Sequence, residues 1–147
     1  MQVRREPAQP HPGADYSSTF VASPVHSGEA RAWAAAVFGG APAPFRLALR
    51  LGWRFGLRLR LDGSADLLGW PTDGDAAEPG PDTARLVAVG ALVAARNIIE
   101  RPPGELRWTT TVAYRSWLGR LLWTLAAPVH HLTIPWLIRH AAREVSR

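Results

Sequence analysis

The sequence contains no cysteine and no lysine. Without cysteine, the chain cannot form disulfides, thiolate metal sites or a cysteine nucleophile. All 17 basic residues are arginines, which together with 13 glycines and 13 prolines is typical of a GC-rich coding bias. The net charge of +5 is positive, which on its own would favour binding to nucleic acid. Because the arginines are spread along the whole chain, we do not expect nucleic acid as a partner.

The N-terminus has no basic segment followed by an apolar one, so a secretory signal is not indicated. Residues 1–14 are polar and proline-rich, and we predict that they form a flexible tail. With 147 residues, 47% of them hydrophobic and 20% charged, the rest fits one domain over 15–147. We expect a cytoplasmic protein.

Two short helices are predicted after a first strand at 15–22. Apolar residues over 30–38 recur at the spacing of one buried helix face, and the Gly-Gly pair at 39–40 ends that helix. Pro44 suits the first turn of a second helix that begins near Phe45.

Arginines recur every fourth residue along this second helix, opposite an apolar side. The arginines are Arg46, Arg50, Arg54 and Arg58, and the apolar side is Phe45, Ala48, Leu49, Gly52, Phe55 and Leu59. The simplest interpretation is a solvated face opposite a buried one. An alternative is a stripe that faces an anion or a membrane, since like charges at this spacing repel. Residues 57–61 alternate with period two, so they would also suit the start of a strand.

The next segments indicate an antiparallel sheet. Residues 66–71 are predicted as a short strand and 72–83 as a loop, because the latter is acidic and rich in glycine and proline. Two apolar runs over 84–101 predict two strands that turn at Gly90. Residues 106–115 alternate throughout, which is typical of a strand with one buried face.

A long C-terminal helix is predicted from Trp117 onward, with Ser116 as its N-cap. We expect the main apolar stripe to be core, and it consists of Leu118, Leu121, Leu122, Leu125, Val129, Leu132 and Trp136. A second patch is a candidate dimer interface or cavity wall, and it consists of Trp123, Ala127, Ile134 and Ile138. Pro128 and Pro135 predict a kink or break. Because Arg120, His130 and His131 interrupt the segment, we predict no transmembrane span.

The segment 109–143 resembles a bacterial family, the domain-of-unknown-function 2867 family. The resemblance rests on Trp117-Leu118-Gly119-Arg120, on Pro128-Val129-His130, and on Arg139 and Arg143. That family looks related to the START or birch-pollen-allergen-like superfamily, also called SRPBCC or helix-grip. The resemblance implies an α+β helix-grip fold, in which a curved antiparallel sheet packs on a long C-terminal helix. The predicted order of elements agrees with it.

The leading functional hypothesis is a non-enzymatic domain that binds a small hydrophobic or amphipathic ligand between the sheet and the C-terminal helix. The candidate ligand-binding residues are Trp108, Tyr114, Trp117, Leu121, Arg96 and His130. Asn97 and Arg96 are polar residues on an apolar strand. We expect each to have a structural partner, and the alternative is that they line a pocket. The sequence does not decide whether the protein forms a homodimer.

We predict no metal, because adjacent histidines such as His130 and His131 point apart on a helix. We also predict no other cofactor, since the sequence has no glycine-rich dinucleotide-binding motif of the G-x-G-x-x-G kind. We name no catalytic residue. One alternative is an enzyme of the cyclase, dehydratase or hydrolase kind that some helix-grip proteins resemble, using His130, Tyr114 or Arg96. Another is a peripheral membrane or protein-interaction module that uses the arginine stripe.

Overall fold

A computed structural model describes residues 1–72 and 80–145. Five antiparallel strands form one sheet, in the order β1-β2-β5-β4-β3. The strands are β1 (Gln2–Glu6), β2 (Tyr16–Ser23), β3 (Thr83–Val89), β4 (Val93–Glu100) and β5 (Leu106–Tyr114).

Three α-helices accompany the sheet: α1 (Ala30–Gly39), α2 (Ala43–Leu51) and α3 (Trp117–Val145). A π-helical turn, Gly52–Gly56, continues α2, and a 3₁₀ turn follows at Ala65–Leu67. The long helix α3 packs on the sheet and on α1. The predicted α+β class is confirmed, with two short helices after the first long strand and a long C-terminal helix on an antiparallel sheet.

The covered face of the sheet carries large apolar side chains from adjacent strands. The register places Phe20, Trp108 and Ile99 side by side across β2, β5 and β4, and all three are buried. Beside them, the side-chain oxygen of Asn97 accepts hydrogen bonds from Trp108 Nε1 at 3.1 Å and from Thr110 Oγ1 at 2.7 Å. The expected structural partners of Asn97 are therefore present, which offsets the cost of burying its amide.

The start of α3 is fixed by a cap and a close contact. Ser116 Oγ accepts a hydrogen bond from the Gly119 backbone N–H at 3.0 Å, which confirms the predicted N-cap. A Cβ on Gly119 would lie 2.0 Å from the Leu92 carbonyl oxygen, so only glycine fits there. The helix continues through Pro128 and Pro135, and the break that the prolines predicted does not occur.

The prediction that the main apolar stripe of α3 is core is wrong. Most of that stripe is exposed, and Trp117 and Leu132 each show 78% of their surface. The buried residues of α3 are instead Gly119, Trp123, Ile134, Leu137, Ile138 and Ala141. Because the helix is apolar on nearly all sides, its periodicity does not select the inner face. The close contact of Gly119 with Leu92 turns that side of the helix inward.

Three local predictions need correction. Within the predicted flexible tail, Gln2–Glu6 forms the edge strand β1 paired with β2; its sequence is too polar to show strand alternation. In 57–61 only Leu59 pairs, through a single bridge to Gly90, because Arg58 at φ 54° turns the chain. The strand predicted at 66–71 is absent: a 3₁₀ turn and Leu68 at φ 51° stand there. Most of the loop predicted at 72–83 lies outside the described residues.

Candidate functional site: an apolar groove between α2 and α3

A groove of about 400 Å³ lies between α3 on one side and α2 with its π-helical turn on the other. Its floor includes Phe38 of α1. The lining residues on the α2 side are Phe45, Ala48, Leu49, Gly52, Trp53, Gly56 and Leu57. Those on α3 are Leu122, Trp123, Ala126, Val129, His130, Thr133, Ile134 and Leu137. Almost every lining side chain is apolar.

A row of small residues along the α2 side keeps the groove open. Ala48, Gly52 and Gly56 recur every fourth residue and line it together, since residues four apart share one face of a helix. Apart from the adjoining residues and the backbone of the same helix, no atom lies within 4 Å of a Cβ built on Gly52 or Gly56. Val129 lines the opposite wall and is 64% exposed, so the groove opens to solvent between these residues.

The floor of the groove is an aromatic cluster. Phe38 packs edge-on against Trp53, with ring centroids 5.2 Å apart, and against Trp108 at 5.3 Å. Trp53 in turn packs edge-on against Trp70 at 5.5 Å. Edge-to-face pairs of this kind fix the rings in place. We expect the floor to keep its shape when the groove is empty.

Among the described residues that line the groove, His130 is the one with an ionisable side chain. Its Nε2 lies 3.5 Å from the hydroxyl oxygen of the buried Ser18, and its ring is 5.4 Å from that of Trp123. Burial, together with the nearby His131 and Arg5, lowers the pKa of His130 to about 3. At neutral pH the groove therefore offers an uncharged imidazole.

His131, the next residue, points out of the groove to the sheet edge. Its Nε2 is hydrogen-bonded to the Tyr16 hydroxyl, and Arg5 Nη1 approaches its Nδ1 at 3.5 Å. Burial raises the pKa of Tyr16 and lowers the pKa of His131, whose second cause is the positive charge of Arg5. These contacts join α3 to β1 and β2, so they help to position His130.

Of the six predicted ligand-binding residues, the structure places only His130 on the groove wall. Trp108 is fully buried behind Phe38, and Trp117 and Leu121 are exposed on the outer side of α3.

The last two candidates also lie apart from the groove. Tyr114 is half-buried at the end of β5, where its backbone N–H donates to Asp15 at 2.7 Å. Arg96 is exposed, and its neighbours Ala95 and Asn97 point to the opposite, covered face of the sheet.

The sequence did not predict the small residues of the groove wall as site residues. Ala48 and Gly52 fall on the apolar side of the predicted helix, where their size predicts only close packing. The sequence signal was their spacing together with Gly56, which leaves a continuous gap along one face.

Among residues 1–72 and 80–145, no group of three histidine or acidic side chains is arranged to hold a metal ion. Within the same ranges α3 is the one helix long and apolar enough to cross a membrane by length and composition. That test is also met by core helices, and part of α3 is buried against the sheet.

Comparison of the chain with protein-family models, with curated proteins and with solved structures finds no match. The groove is therefore interpreted from its own geometry.

Proposed function

We propose that this protein binds one small apolar or amphipathic molecule in the groove between α2 and α3. The observation that carries the proposal is an open groove of about 400 Å³ with an almost wholly apolar lining. Ligand sites are typically concave, apolar and of roughly 300–1,000 Å³, with a few polar groups that orient the ligand. The order of elements also supports the proposal that the chain belongs with the helix-grip proteins. Its cytoplasmic location stays a prediction.

The chemistry of the groove restricts the ligand. His130, with a pKa of about 3, carries no charge at neutral pH and can donate or accept one hydrogen bond. It therefore suits an uncharged polar group, such as a hydroxyl or a carbonyl, and gives no ion pair to a carboxylate. We propose a mainly hydrocarbon or aromatic ligand with one neutral polar group near His130.

A hydrolase with a serine nucleophile gains no support from this geometry. Such a hydrolase would use His130 as the base for the nucleophile, and the Ser18 hydroxyl oxygen lies 3.5 Å from its Nε2. A histidine with a pKa of about 3 is a weak base at neutral pH. Ser18 is also buried, so a substrate has no path to its oxygen.

A fluorescence titration with N-phenyl-1-naphthylamine, an uncharged apolar probe, tests the proposal. We expect saturable binding to one site in the wild-type protein. Ala48→Phe should fill the groove and weaken binding by at least about tenfold, since a phenyl ring would occupy the ligand's volume. Ala32→Phe is the matched control, because Ala32 is an exposed helical alanine on α1 away from the groove.

Binding that is lost in Ala48→Phe and kept in Ala32→Phe supports the groove as the site. Equal binding by all three proteins, or no saturable binding by the wild type, contradicts it. Circular dichroism melting of each variant separates a blocked groove from a failure to fold.

A further inference from the structure

A belt of exposed apolar side chains borders the groove on both helices. We call it the apolar rim, and it consists of Leu47, Leu51, Phe55, Leu118, Leu121, Leu125, Val129, Leu132 and Trp136. Phe55 is 68% exposed and Leu132 is 78% exposed. Soluble monomers rarely expose so many large apolar side chains together, and such patches mark interaction surfaces.

The rim meets the mouth of the groove on both walls. Val129 belongs to both, since it lines the groove and is exposed. Leu125 and Leu132 lie about one turn before and after it on the same face of α3. On the other wall, Leu51 and Phe55 neighbour the groove-lining Gly52 and Gly56 in sequence.

The charges around the rim have one sign. Residues 42–61, which include α2 and the π-helical turn, contain five arginines and no acidic residue. Residues 117–143 of α3 contain three arginines and no acidic residue. On α2 and its π-helical turn, Arg50 and Arg54 are exposed and each precedes a rim residue. An apolar belt edged by cations is the pattern of helices that lie in the interface of an anionic membrane.

We infer that the apolar rim docks this protein onto an anionic lipid surface, with the rim residues in the headgroup region and Arg50 and Arg54 on lipid phosphates. The docked helix lies along the surface, because its inner face with Leu137 and Ile138 stays packed in the protein. The inference does not depend on which molecule occupies the groove.

Charge complementarity favours a membrane over a second copy of the chain. A twofold dimer through the rim sets the same surface against itself. It would bring the arginines of one protomer against those of the other, and like charges across an interface are unfavourable. Anionic lipid headgroups supply the opposite sign.

Co-sedimentation of the full chain with lipid vesicles tests the inference. The vesicles are mixtures of phosphatidylglycerol and phosphatidylcholine, compared with phosphatidylcholine alone, at about 0.05 M and about 0.5 M salt. We expect binding to the anionic vesicles that weakens at the higher salt, and much weaker binding to phosphatidylcholine alone.

Two double variants assign the binding to the rim. Arg50→Gln with Arg54→Gln should lower the partition coefficient about thirtyfold at low salt, as each arginine near an anionic surface contributes about fivefold. The matched control is Arg4→Gln with Arg107→Gln, which removes the same charge from exposed ion pairs on the sheet. That control should change binding by less than about threefold.

Leu125→Ser with Leu132→Ser removes apolar rim surface without touching buried residues, and should also abolish most vesicle binding. Equal losses in the two arginine variants, or no binding by the wild-type protein, overturn the inference. Rim-dependent self-association in analytical ultracentrifugation, without vesicle binding, also overturns it and assigns the rim to a dimer. The rim variants are also titrated with N-phenyl-1-naphthylamine. If they lose vesicle binding and still bind this probe, the membrane inference is supported independently of the groove proposal.

Discussion

The inner and outer faces of α3 are both apolar, but they contact different surroundings. The inner face holds Leu137 and Ile138, which are buried against the sheet and α1. The outer face holds Leu125, Leu132 and Trp136, which are exposed. His130 lies on the groove wall between the two faces. Hydrophobicity alone therefore does not indicate which side of this helix stabilises the fold and which side is free to bind.

A matched pair of leucines should show the largest difference between the faces. Leu137→Ala deletes a side chain that is 1% exposed, and it should lower the free energy of unfolding by about 2–5 kcal/mol. Leu132→Ala changes an exposed leucine on the same helix, and should change that free energy by less than about 0.5 kcal/mol. Urea unfolding followed by circular dichroism measures both. Similar losses from the two variants would mean that the outer face is also packed.

Lowering the pH should destabilise the protein, because His130, which lies between the inner and outer faces of α3, has a lowered pKa. Its pKa is about 3 in the folded protein and 6.5 in the unfolded chain, so between these values the unfolded chain binds the extra proton. The stabilisation is complete above pH 6.5 and is lost as the pH falls toward 3. From pH 8 to pH 5 the loss is about 2 kcal/mol. The pKa of His131 is also lowered, which adds a loss of the same sign.

Urea unfolding at several pH values measures this slope. His130→Asn keeps a polar group and has no titration in this range, so its stability should fall less steeply between pH 8 and pH 5. An identical slope in the variant and the wild type would show that the pKa of His130 is not lowered in the folded protein.

The smallest expected effect is at the end of the groove, where the outer face meets α2. Trp136 contacts Phe45 with ring centroids 5.0 Å apart. Trp136→Ala should lower the free energy of unfolding by about 1 kcal/mol, through the loss of this pair and of the stacking of Trp136 on His140 at 5.3 Å. Trp117→Ala is the control, because Trp117 is exposed on the same helix. If both variants melt at the same temperature, the contact with Phe45 contributes nothing to stability.

Much of the fold follows from local sequence signals. Period-two alternation locates β5, and the apolar spacing from Ala30 to Phe38 locates α1 with its buried face. Ser116 marks the start of α3 because its hydroxyl caps the helix. These signals are local, so each is readable without the rest of the chain.

The orientation of α3 and the groove could not be predicted in the same way. Two apolar faces compete on α3, and the choice between them depends on the approach of Gly119 to Leu92, which is a tertiary contact. The groove depends on the small size of Ala48, Gly52 and Gly56. These residues face α3, a helix about seventy residues later in the sequence. Nothing local indicates that these small residues lie beside a gap and not beside a packed neighbour.

The proposed binding site lies between α2 and α3. The most direct measurement is an NMR titration of methyl-labelled protein with N-phenyl-1-naphthylamine, with the leucine, valine and isoleucine methyl groups assigned. We expect the methyl signals of Leu49, Leu122 and Val129 to shift on saturation, while those of Ile99 and Leu106 in the sheet do not. Shifts confined to the sheet residues, or no saturable shift in Leu49, Leu122 and Val129, would contradict it.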